Sequence, residues 1–133
     1  MELNLKLKKK LRRVINNMDA NFNILERKEG EVVVIEVAGE LDALVAPKLK
    51  EKISKEMENG ETKFIINFKE LVHINSLAMG ILRGKLKSTK EIGGDIKLSN
   101  LNDHIKSIFE MIGLDEIFEI FENEKEALDS FKK

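Results

Sequence analysis

The chain has 133 residues, of which 42% are hydrophobic and 35% charged, with a formal net charge of −1. That length supports a single hydrophobic core, and the balance excludes both a disordered polyelectrolyte and a whole-molecule nucleic-acid binder. The absence of cysteine rules out disulfides, thiolate metal sites and a cysteine nucleophile, and no apolar run approaches the ~20 residues that span a bilayer.

Residues 1–18 are predicted to form a basic amphipathic helix. Leu7, Leu11, Val14, Ile15 and Met18 fall on one stripe, and Lys6, Lys8, Lys9, Lys10, Arg12 and Arg13 cover the remainder. The stripe is short and aliphatic, with no Trp or Phe anchor. That favours packing on the domain or on a second copy over an anionic membrane or nucleic acid.

The domain proper is expected over residues 20–133. Phe22–Arg27 and the β-branched run Glu31–Ala38 read as a hairpin turned at Gly30. After a polar turn, Gly39–Asp42, a helix follows with Pro47 in its first turn and a buried face of Ala46, Leu49, Ile53 and Met57. Asn59-Gly60 ends it. Lys63–Phe68 is the third strand, and polar residues then lead to Ser76, where a helix is expected to begin and run to about Glu91. A serine there can cap the first free N–H groups, and a phosphate on it would lie at the positive end of the helix dipole. Met79, Leu82 and Leu86 mark the buried stripe of that helix, while Arg83, Lys87 and Lys90 lie on another face. Gly80 and Gly84 each cost roughly 1 kcal/mol against alanine in a helix, so a strand or helix is expected to pack closely over them. Gly93-Gly94 turns into a fourth strand, Asp95–Ser99. Asn102 or Asp103 caps a helix carrying Ile105, Ile108, Phe109 and Ile112, stopped by Gly113. Ile117–Phe121 reads as a fifth strand, and Asn123 caps a last helix with Ala127, Leu128 and Phe131. The order ββαβαβαβα implies a mostly parallel sheet with one antiparallel pair.

Little of this carries chemistry. His73 and His104 lie on different elements without ligand partners at usable spacing, so no metal site is expected. The glycines form neither a phosphate loop nor a dinucleotide fingerprint, and Ser76 lacks the G-x-S-x-G setting of a nucleophile. Without Trp or Tyr there is little platform for sugars or bases. No catalytic residue and no cofactor is expected. The chain reads as a binding module rather than an enzyme.

Gly39-Glu-Leu-Asp42 followed by Ala46-Pro-Lys-Leu49 resembles the G-E-L-D…A-x-x-L signature of STAS domains, the fold of bacterial anti-sigma factor antagonists. Phe64-Ile-Ile-Asn-Phe68 and Ile74-Asn-Ser-Leu-Ala-Met-Gly-Ile-Leu82 are similar to that family's strand and its D-S-[ST]-G-L-G phosphorylation turn. Gly93–Leu98 and the pattern from Ile105 to Leu128 match its C-terminal half, so the resemblance covers about residues 20 to 131. It implies a STAS-like α/β domain: a mostly parallel four- to five-stranded sheet with an N-terminal hairpin, helices mainly on one face, and here an extra N-terminal helix.

It also implies a function. Members bind an anti-sigma factor of the serine protein kinase type and so free a sigma factor in the bacterial cytoplasm. The kinase phosphorylates the serine of the turn, and a phosphatase resets the system. By position Ser76 is the implied phospho-acceptor, Asn75 stands at the family's aspartate, and Asp42 stands at its first-loop aspartate. Leu77 and Ala78 occupy the places of a small hydroxyl residue and a glycine. The partner surface is expected to include Asp42, Asn75, Ser76, Leu77 and Arg83, with no direct contact to nucleic acid. The alternative is a non-phosphorylated STAS scaffold or interaction module in a signalling or transport assembly. In that case Ser76 is a plain cap, and residues 1–18 mediate self-association or membrane contact.

Overall fold

The computed structural model describes residues 4–10 and 22–132. Residues 5–10 form a short exposed helix, α1. The rest of the helix expected over 1–18, its boundary with the domain, and most of the segment expected to self-associate lie outside the described residues.

Five strands form one sheet in the order β1-β2-β3-β4-β5. β1 (Phe22–Glu29) and β2 (Val32–Leu41) pair antiparallel about Gly30, which takes a left-handed φ of 63° that a β-carbon would disfavour. β3 (Lys63–Ile74), β4 (Asp95–Ser99) and β5 (Ile120–Phe121) extend the sheet in parallel. Parallel strands need crossovers, and α2 (Ala46–Glu58), α3 (Ser76–Glu91) and α4 (Asp103–Met111) supply them. α5 (Glu124–Phe131) closes the chain.

The period-two alternation of the strands sorts their side chains between two layers. Val33, Ile35, Phe64, Ile66, Ile96 and Leu98 face α2, α3 and α4 in the main core. Val32, Val34 and Ile65 face the other way, onto Ala127, Leu128 and Phe131 of α5. Three helices therefore cover one face and a short one covers part of the other, as the resemblance implies. Lys97 also points to the α5 side and is buried. Its ammonium donates to Ser130 Oγ at 2.7 Å and lies 4.2 Å from the Phe131 ring centroid, so the charge is satisfied.

Two strands depart from the sequence reading. β3 does not stop at Phe68 but runs on to Ile74, through the stretch read as a polar turn. Its register against β2 slips twice, between Glu36/Ala38 and between Gly39/Glu40, and each slip puts one extra β3 residue opposite its partner. Asn67 supports the first bulge by accepting the Lys69 N–H on its side-chain oxygen at 2.8 Å. The bulges break the alternation, which is why Lys69, Glu70, Val72 and His73 are exposed while Leu71 and Ile74 are buried. The fifth strand is shorter than expected. Phe118 turns into the core beside Phe109, a short 3-10 turn occupies Leu114–Glu116, and only Ile120–Phe121 pair with β4.

Where α2 packs beside β1, three carboxylates crowd together. Glu56 is held above the usual carboxylate range by partial burial, then by the charge of Glu26 and a hydrogen bond with it, then by Glu61. Lys28 opposes the shift. Lys52 and Lys28 already engage Glu26 and Glu61 at 3.4 and 2.5 Å. A carboxyl whose folded pKa is raised binds its proton more tightly in the folded state. Its ionised form therefore weakens the fold as pH rises from the ordinary carboxylate range through the raised value. Glu56→Gln is expected to stabilise the protein at pH 7 and to lose that gain in acid, where Glu56 is itself neutral. Urea unfolding at the two pH values checks this; an equal gain at both would mean that charge is not the cause.

Candidate functional site

The site forms where β2 and β3 end side by side. Leu41 pairs with Ile74, and the next residue on each strand begins a turn into a helix. The Asn75 N–H donates to the Leu41 carbonyl at 3.1 Å, which ties the two turns together. Asp42 and Ser76, far apart in sequence, thus lie on neighbouring turns at the C-terminal edge of a parallel sheet, the usual place for function in α/β folds.

Asp42 is half-buried and organises its own loop. Its Oδ1 accepts the N–H groups of Leu44 and Val45 at 3.0 and 3.1 Å. The loop then leads into Ala46 and Pro47, where a missing N–H costs nothing. This leaves Leu44 displayed at the loop tip, 83% exposed.

The start of α3 corrects the sequence reading. Ser76 is not the cap; Asn75 is. Asn75 keeps the extended backbone of the strand (φ −101°, ψ 173°), and its Oδ1 accepts the Ala78 N–H at 2.9 Å. Asparagine caps at least as well as serine, and Asn75 holds the last non-helical position, so the cap forms one residue early. Ser76 becomes the first helical residue. It is exposed, and its hydroxyl makes no hydrogen bond to any described residue.

Leu77 follows, half exposed, and Arg83 lies on the outer surface two turns further along. The structure therefore groups Asp42, Asn75, Ser76 and Leu77 at one sheet edge, with Arg83 on the same helix. The other two hydroxyl residues of α3 differ in access. Thr89 is fully buried and donates to the Lys85 carbonyl, whereas Ser88 is half-buried. Both histidines are exposed, and no group of three metal-ligating side chains occurs among the described residues. No helix among them is long and apolar enough to cross a membrane.

Three features escaped the sequence reading. Lys50 of α2 shares a surface depression with Ser76 and Leu77, although sequence alone places it only on a wet helix face. Ile117 lines a second depression with Arg83 and Lys87. Gly80 and Gly84 have no close neighbour, contrary to expectation: a β-carbon built on either meets nothing within 4 Å. The Ser76, Gly80, Gly84 spacing was a signal present in the sequence.

Comparison with known proteins places these features in context. The family model of the STAS domain matches residues 23–127. A Bacillus subtilis (strain 168) protein named anti-sigma-B factor antagonist is 31% identical over 100 residues, covering 75% of this chain and 91% of that protein. The solved structure of the anti-sigma factor antagonist SpoIIAA in its unphosphorylated form superposes with a TM-score of 0.74 at 27% identity, over 83% of this chain and 96% of that one. The phosphorylated form of SpoIIAA, from Bacillus, superposes with a TM-score of 0.68 at 27% identity, over 82% and 99% of the two chains.

Proposed function

This chain belongs to the STAS domain family, and on that premise we propose that it is an anti-sigma factor antagonist switched at Ser76. It binds an anti-sigma factor of the serine kinase type through the surface built from the Asp42 loop and the start of α3. Phosphorylation of Ser76 ends that binding. The observation that carries the reading is the free hydroxyl of Ser76. It is exposed at the first position of α3 and is not needed for capping, because Asn75 does that work. A phosphate there gains from the positive end of the helix and disturbs no hydrogen bond of the fold. The existence of SpoIIAA in unphosphorylated and phosphorylated forms of the same fold is in keeping with a modification of this kind.

The test is incubation of the full chain with ATP and the serine-kinase anti-sigma factor of its own organism, read by intact mass and peptide mapping. The expected result is a single phosphate on Ser76 and a complex that forms before the modification and dissipates after it. A stable complex with Ser76 unmodified would overturn the switch and favour a constitutive interaction module.

A further inference from the structure

α3 has an unpartnered and strongly basic outer face. Arg83, Lys87 and Lys90 share it, Lys85 lies on the flank toward Lys50 of α2, and the helix has one carboxylate, Glu91, in a chain whose overall formal charge is −1. None of these four side chains forms an ion pair or hydrogen bond with a described residue, and neither does that of Lys50 across from them on α2. Uncompensated charge clustered on one element is a field available to a partner.

A depression flanks this helix on each side. A depression of about 470 Å³ is lined by Ser76, Leu77, Ile81 and Lys85, with Lys50 opposite. A second, of about 510 Å³, is lined by Arg83, Lys87, Lys90 and Ile117. Both border Gly80 and Gly84, whose missing side chains lower the crest of α3 between them, so the two meet across the helix as one shallow groove, and no carboxylate lines either part. Leu77 and Ile117, 48% and 39% exposed, give its sides apolar contact surface. A nucleic-acid backbone needs the cations but has no use for these aliphatic walls, and a flat membrane does not enter a groove. Charge and apolar contact together fit an amphipathic helix laid in a groove.

We propose that the α3 groove docks an acidic amphipathic helix of a protein partner. Its carboxylates pair with Lys50, Arg83, Lys87 and Lys90, and its backbone lies close over Gly80 and Gly84. This rests on reading the Ser76 surface as the partner site, and it extends that site along α3 and assigns the partner's charge. It also explains glycines that the fold itself does not require, since alanine would be the better helix former at both positions. Ser76 lines the same groove as Lys50 and Lys85. A phosphoserine there, carrying about −1.5 to −2 charges, competes for the cations that the partner's carboxylates need.

The experiment uses the full chain, wild type and Gly80→Ala/Gly84→Ala, with three probes. These are the serine-kinase anti-sigma factor without ATP, a designed amphipathic helical peptide bearing glutamates, and a single-stranded DNA of matching length. Affinities and α3 amide shifts are read by calorimetry and NMR, and the melting temperature of each variant is recorded. The expected result is a double variant that melts higher than wild type yet binds kinase and peptide at least about tenfold more weakly, with DNA the weakest probe. Arg83→Glu is expected to weaken both protein probes and to flatten their salt dependence. If the double variant binds like wild type, or if DNA matches the peptide, the acidic-helix assignment is overturned. The peptide arm does not depend on phosphorylation. A failed kinase experiment with a retained glycine effect would therefore remove the switch and leave the groove standing.

Discussion

Ser76→Asp is expected to weaken binding of the anti-sigma partner by about a thousandfold while leaving the fold as stable as before, or slightly more so. Taking a charge out of water into a closed interface costs several kcal/mol even where cations lie near, and ~4 kcal/mol corresponds to about that factor. Two physical effects act together. The new carboxylate must be desolvated if the partner seats on the surface proposed around Leu77 and the Asp42 loop, and it offsets the positive charge of Lys50 and Lys85 in the same depression. The fold has no reason to resist. Asn75 remains the cap, Ser76 makes no hydrogen bond to lose, and an acidic residue in the first turn of a helix is favourable. Binding and stability should therefore move independently, which separates a switch from simple damage. Calorimetry against the kinase and urea unfolding of the free protein are the two measurements, with Ser76→Ala as a control that keeps its affinity. An aspartate variant that binds like wild type would mean that charge at Ser76 does not gate the complex.

The largest effect on stability is expected from Phe109→Ala. Phe109 is fully buried on α4. Its ring meets Phe68 of β3 edge-on, with centroids 6.1 Å apart and planes at 65°, and lies 6.5 Å from Phe118. It thus joins the sheet to α4 and to the segment that carries Ile117. Removing such a ring typically costs about 3–5 kcal/mol, through lost burial and the cavity left behind. Against a total stability of roughly 5–15 kcal/mol, that is a large share. The midpoint of urea unfolding should fall markedly with little change in slope. A loss under about 1 kcal/mol would mean that neighbouring side chains collapse into the space, as well-packed cores rarely allow.

Much of the architecture is legible in residue patterning because local and tertiary demands agree. The β-branched runs of β2 and β3 are buried strands, and Pro47 lies in the first turn of α2. Asn102 and Asn123 cap their helices, each accepting an N–H three residues on. Gly113 turns the chain out of α4 at a φ of 78°. What patterning misses is set by contacts across the fold. The bulges of β3 depend on its pairing with β2, so a strand with broken alternation reads as a turn. The cap of α3 depends on where β3 ends, and that end is set by the same bulges. Lys50 meets Ser76 only because α2 and α3 pack together, and no spacing in the sequence encodes that meeting. The glycines of α3 suggest an internal neighbour by their cost to the helix, but the space above them is open.

Gly80 lies one turn past Ser76, and Gly84 one turn further. In addition to shaping a surface, they lower the free energy of local opening there, by an amount on the order of 1 kcal/mol for each glycine. Proteins open regionally at free energies below that of global unfolding, and the weakest helical turns open most often. The beginning of α3 is expected to be such a place, with the Asn75 cap and the burial of Ala78 and Met79 opposing the opening. Ser76 is therefore expected to leave its helical geometry without unfolding the sheet behind it. For the switch proposed at Ser76, accessibility is then a matter of rate as well as of exposure, set by the residues that follow the serine.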